Sequence, residues 1–162
     1  MKYLPVPTQV ADEARERLAD RFDHRLHVVR EAAPCRVCLR IPSEPEEMML
    51  MSYQPLPDTG PYAEVGPIFV HARRCTPYRE VDAFPADFSG RPLILRAYGY
   101  DGQITDARIV EPGQAQANAA ELLSRSDVAE IHVRHVSYTC FDFKIVRDAD
   151  QPLGCAAAAR DD

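Results

Sequence analysis

The chain has 162 residues, a length that suits one domain with a sizeable core. Its hydrophobic share of 46% and charged share of 27% are those of an ordinary soluble globule. A formal net charge of −6 argues against non-specific nucleic-acid binding, which needs a basic footprint, and no run approaches the roughly 20 apolar residues that span a bilayer.

The opening residues, Met1 to Pro7, lack the apolar core of a signal peptide, so a cytoplasmic protein with reduced cysteines is expected. The odd count of 5 cysteines leaves at least one thiol outside any set of intramolecular disulfides. Fourteen prolines favour strands and extended loops over a helical bundle.

Thr8 is a candidate cap for a helix from about Gln9 to Arg21, whose Val10, Ala14, Leu18 and Phe22 form one apolar stripe. Glu13 and Arg17 stand at the i,i+4 spacing of a favourable pair. Leu26 to Arg30 reads as a short strand, and the stretch from Pro34 to Pro45 reads as loop. Glu47 to Tyr53 is nearly all apolar, which fits a buried strand with its three methionines in the core. A long turn region holding Pro55, Pro57, Gly60 and Pro61 separates it from a strand over Gly66 to His71. Pro77 to Arg91 reads as irregular.

Asp101-Gly102 lies between the strand-like runs Leu93 to Tyr100 and Gln103 to Val110, a hairpin signal because both turn residues tolerate positive φ. A two-residue turn there pairs Tyr98 with Thr105 and Arg96 with Ala107, and it sets Arg96, Tyr98 and Tyr100 in one row. Pro112 suits the first turn of a helix to about Arg125, with Ala115, Ala119, Leu122 and Leu123 on its apolar face. Val128 to Val136 and Cys140 to Arg147 form a last strand pair. Centring its loop on Ser137 sets Arg134 opposite Cys140, His132 opposite Asp142 and Glu130 opposite Lys144, and the last two pairs are charge-compatible, which supports that register; centring it on Tyr138 keeps the parity and sets Arg134 opposite Asp142. In both registers Cys140 and His132 share the face away from Phe141 and Phe143. The expected fold is therefore α+β over residues 1–147, a mostly antiparallel sheet with two packing helices, followed by a disordered tail over 148–162 that includes Cys155.

Three chemistries are open. Cys35-Arg36-Val37-Cys38 and His71 with Cys75 supply four soft ligands for one zinc ion, provided the chain turns at Arg73-Arg74; fully extended, His71 and Cys75 would stand ~13 Å apart. Zinc knuckles commonly place glycine after the second cysteine, whereas here Leu39 follows. Cys35 and Cys38 are alternatively a redox dithiol, although nothing after Cys38 reads as the helix whose N-terminus usually depresses such a thiol's pKa. Cys140, with His132 and Arg134 as supporters, is the other candidate for thiol catalysis. The third class is a module binding a small molecule or a protein partner. It would use the Arg96, Tyr98 and Tyr100 row, or the Gly/Pro-framed loop that carries Tyr62 and Glu64.

Several blocks resemble a family of bacterial proteins classed as a domain of unknown function. They are Pro34-Cys35-Arg36 to Cys38-Leu39, Gly60-Pro61-Tyr62-Ala63 to Gly66-Pro67-Ile68-Phe69-Val70-His71-Ala72 with Cys75, Leu95-Arg96-Ala97-Tyr98, and Ile131 to Arg134 with Cys140-Phe141. The resemblance runs from about Phe22 to Arg147 and implies a bacterial, stand-alone protein. It assigns no catalytic residue.

Overall fold

The computed structural model describes residues 1–56 and 60–148. In chain order the elements are β1 (Lys2–Leu4), α1 (Thr8–Arg17), β2 (His27–Glu31), β3 (Glu46–Tyr53), β4 (Gly66–His71), α2 (Ala86–Ser89), β5 (Leu93–Tyr98), β6 (Ile104–Val110), α3 (Ala115–Ser124), β7 (Glu130–His135) and β8 (Phe141–Val146). They build two antiparallel sheets, one of five strands in the order β1-β8-β7-β5-β6 and one of three in the order β2-β3-β4. The α+β class read from the sequence holds, with the strands divided between two sheets. Among the described residues no helix is long and apolar enough to cross a membrane.

Alternation along β5, β7 and β8 sends Leu93, Leu95, Ala97, Ile131, Val133, Phe143 and Ile145 to one face, where α3 covers them with Ala115, Ala119, Leu122 and Leu123. Tyr3 of β1 and Phe88 of α2 complete this core, and each packs edge-on against Phe143. A second core lies on the three-stranded sheet. Met48, Met49 and Met51 are buried there, as expected for core methionines, with Ala11 and Ala14 of α1 packed alongside.

Several local expectations change. Helix α1 stops at Arg17 because Leu18 turns into the left-handed region (φ 55°), so Leu18 is exposed rather than part of the apolar stripe. Its N-cap is Pro7, and no side chain caps it. Glu13 bonds Gln9, and Arg17 instead reaches Asp23. The β5–β6 hairpin turns over Gly99 to Gln103, with Gly102 at φ 75° and Thr105 as an extra residue. A three-residue loop ending in a left-handed glycine is the next commonest hairpin after the two-residue one. Arg96 pairs with Ala107 as expected, but Tyr98 pairs with Ile104.

Strands β7 and β8 follow the Tyr138-centred register from Glu130 to Val133, after which Asp142 is the extra residue and Arg134 lies opposite Phe141. This bulge sends Phe141 and Phe143 to opposite faces, so Phe141 joins the second core and stands edge-on to His132. The tail expected from residue 148 lies outside the described residues except for Asp148, whose carboxylate is 3.6 Å from Lys2.

Candidate metal centre

Pro34 brings an extended segment into a turn at Arg36–Cys38. The turn is closed by the Leu39 N–H donating to Cys35 O and the Cys35 N–H donating to Arg40 O, both at 2.9 Å. It is tied down on three sides. Arg36 N–H donates to Phe69 O of β4, Val6 N–H donates to Arg36 O, and Tyr78 N–H donates to Val37 O. Leu39 takes the left-handed conformation (φ 55°) that glycine adopts at low cost, and its side chain is buried in the core of the five-stranded sheet. The residue that departs from the usual knuckle sequence thus keeps the backbone path a glycine would take.

Cys35 Sγ accepts backbone N–H groups from Val37 and Cys38, and from His71 at 3.4 Å. Cys38 Sγ accepts that of Arg40. Across the site, β4 ends at His71 and the chain bends at Ala72 and Arg73, one residue before the expected place. Arg15 of α1 holds that bend by donating to His71 O at 2.8 Å and to Ala72 O at 3.2 Å. The bend returns Cys75 to the cluster.

Cys35, Cys38, His71 and Cys75 then present ligand atoms that all lie within 4.8 Å of one another. Cys35 Sγ to Cys75 Sγ is 3.8 Å, and Cys38 Sγ to His71 Nδ1 is 3.6 Å. The four described cysteines, Cys35, Cys38, Cys75 and Cys140, are all free thiols. Hydrogen bonds from the Cys38 and Cys75 thiols, with the backbone donors, press the Cys35 pKa far down. The same contacts push Cys38 and Cys75 up, since each would share the cluster with a second negative charge. His71 Nε2 stands 3.0 Å from Glu46 Oε2. A proton on Nε2 directed at that carboxylate leaves Nδ1 free, facing the thiols, as a metal-ligating imidazole requires. Such a cluster can hold a metal ion. Sequence reasoning missed Glu46, because pairing across β3 and β4 leaves no mark in local spacing.

The other candidate residues are arranged differently. Arg96 donates to Glu64 Oε1 at 2.6 Å and to Tyr98 OH at 3.4 Å. Arg134 also pairs with Glu64, so one carboxylate from the loop before β4 bridges two strands of the larger sheet. Tyr98 is fully buried, while Tyr100 is 67% exposed and Tyr62 40% exposed, so the expected row is broken at the hairpin end. His132 is also fully buried, its ring 4.4 Å from that of Tyr98 and its Nε2 2.8 Å from Glu130 Oε1. Lys144 donates to the other oxygen of Glu130 at 2.9 Å. Cys140 is half-buried at the β7–β8 turn and donates to Tyr138 O at 3.6 Å, whereas His132 and Arg134 are held by Glu130 and Glu64. Behind that turn Arg36 meets Asp142 at 2.8 Å, both side chains being almost completely buried. Burial raises the Asp142 pKa, with Arg36 opposing the shift.

No curated protein and no solved structure matches the chain. Residues 32–147, which hold the whole Cys/His cluster, match a family model described as Protein of unknown function (DUF1203), and the chain belongs to that family.

Proposed function

We propose that the protein is a zinc-stabilised domain in which one Zn²⁺ is held by the sulfurs of Cys35, Cys38 and Cys75 and by His71 Nδ1. The observation that carries this reading is the length of two edges of the cluster. Zn–S bonds of ~2.3 Å and a Zn–N bond of ~2.0–2.1 Å, set at tetrahedral angles, require S···S of ~3.8 Å and S···N of ~3.6 Å. The corresponding separations are 3.8 Å and 3.6 Å. Thiols in van der Waals contact would also come close, but the backbone donors on Cys35 and the Glu46 partner of His71 supply what a ligand set needs around it.

Four protein ligands close the coordination sphere, which suits a structural ion rather than a catalytic one with an open position for water. The ion would join a turn that follows β2 to the bend that follows β4, so its binding energy would be folding energy. A dithiol reaction at Cys35 and Cys38 would compete with this role, because a coordinated thiolate is not free to exchange.

The test is metal analysis of protein purified without chelator or histidine tag, alongside a native thiol titration. Near one equivalent of zinc is expected, with Cys35, Cys38 and Cys75 shielded from alkylation until a chelator is added. Metal-free protein with all three thiols reacting at once would reject the zinc reading and return the dithiol to consideration.

A further inference from the structure

A cavity of about 520 Å³ opens where the two sheets meet at the β7–β8 turn, a size within the range of small-molecule sites. One wall is hydrocarbon. Leu50 and Phe69 are cross-strand partners on the face of the three-stranded sheet that Met48 and His71 share, opposite Met49 and Met51, and Pro67 extends that wall. The facing wall carries Arg91, His135, Tyr138 and Cys140, with Arg36 and Glu31 at the margins.

The charges on these walls are not equivalent. Arg36 is fully used: its Nε donates to Phe141 O at 2.8 Å, its Nη1 donates to Pro34 O at 2.5 Å, and its Nη2 faces Asp142. Arg91 makes no hydrogen bond or ion pair with any described residue, and its guanidinium lies 5.9 Å from the Phe88 ring. His135 Nδ1 accepts the backbone N–H groups of Ser137 and Tyr138 at 3.1 and 3.3 Å, so the neutral ring carries its proton on Nε2 and remains a donor. Glu31, the acid on this rim, is exposed at the end of β2. Tyr138 is 77% exposed, lies tilted against the His135 ring at 5.2 Å, and has no place in either core.

We propose that this cavity binds a small organic anion, a carboxylate carried on a compact apolar body. Arg91 and the Nε2–H of His135 receive the carboxylate. Phe69, Leu50 and Pro67 receive the apolar body, and Tyr138 covers it. A bare inorganic anion would leave the hydrocarbon wall wet, and a neutral ligand would leave Arg91 without a partner. Both halves of the ligand are therefore required. The inference stands on these lining residues and does not depend on the identity of the metal.

Cys140 lines the same cavity, so its alkylation reports occupancy. The probe is phenylacetate, added to the full-length protein as purified while iodoacetamide modification of Cys140 is followed by peptide mass. A ligand of about ten non-hydrogen atoms is expected to bind with a Kd of about a millimolar. At about ten times that concentration, Cys140 should react about ten-fold more slowly, and the amide resonances of residues 135–141 should shift along the same isotherm. Arg91→Gln should abolish both effects and Arg91→Lys should keep part of them, with all three proteins melting together. Equal protection by phenylacetamide or by inorganic phosphate would overturn the proposal. So would an unchanged Cys140 rate with unmoved amides, or protection that survives Arg91→Gln.

Discussion

Leu39 holds a left-handed backbone conformation beside Cys38, a proposed zinc ligand, and such a conformation costs a non-glycine residue about 1–2 kcal/mol. Its side chain is 2% exposed, and removing a buried leucine costs about 2–5 kcal/mol, so burial outweighs the strain. Leu39→Gly is accordingly expected to lower the unfolding free energy in urea by about 2 kcal/mol while leaving zinc affinity nearly unchanged. A more stable variant would show that the side chain anchors nothing. Among the described residues the Glu46 carboxylate pairs with His71, and under the zinc reading Glu46→Gln should weaken metal binding about ten-fold in competition with a chromophoric chelator, with every thiol still present. His132 and Glu130 offer a pH readout. Burial holds the His132 pKa below its ordinary value; burial would raise Glu130, but hydrogen bonds from His132 and Lys144 outweigh it and hold that carboxyl low. Both groups bind protons more readily in the unfolded chain, so stability rises with pH. The His132 share is lost as pH falls below about 6.5, and the Glu130 share as pH falls through its depressed folded value, below about 4.3. His132→Phe should flatten the pH dependence of unfolding between about pH 7 and 5, and an unchanged slope would remove His132 from that role.

At the scale of elements, the extra residue in β8 is the most consequential departure from regular geometry. Asp142 is displaced toward Arg36, and the side chains around it switch faces. Arg36→Met would leave that carboxylate buried without its partner and is expected to cost about 3–5 kcal/mol in urea unfolding, much of it recovered by adding Asp142→Leu. If the double variant is no more stable than the single one, the pair is not what couples the turn to β8. The same element shows where sequence reading stops. The parity of the last hairpin was legible from the alternation of Ile131 and Val133 against Phe143 and Ile145, although it left two registers open and charge pairing favoured the Ser137-centred one over the Tyr138-centred one that the strands adopt. The bulge was not, because nothing in the local pattern of Thr139 to Phe143 marks which residue is left unpaired. Strand β3 was legible from its methionine run, β4 from its Gly/Pro-framed apolar stretch, and α3 from its alanine and leucine spacing. Strand β1 has three residues before Pro5, too few to display a period, and α2 has a single turn. The Cys/His cluster was legible as a set of residue types. Its convergence was not, because it depends on Arg15, far away in sequence, gripping the bend after His71.

For the whole molecule, the two cores are served differently. The larger is covered by α3 and by aromatic rings meeting edge-on, whereas the smaller has Cys35 and Cys38 among its own members. Chelation should therefore open the smaller half first. Amide exchange is expected to accelerate in β2, β3 and β4 while β5 and β7 stay protected, and uniform acceleration in both sheets would show a single cooperative unit. The order of strands adds a consequence for synthesis on the ribosome. Every buried member of the smaller core lies between Val6 and Val70 except Phe141, and the four proposed metal ligands are complete at Cys75. The larger sheet, by contrast, places β1 against β8, joining the two ends of the described chain. The nascent polypeptide can thus bring the proposed ligand set together and close the three-stranded sheet before β7 and β8 are translated. Meanwhile β1 waits, unpaired, for the last strand to emerge.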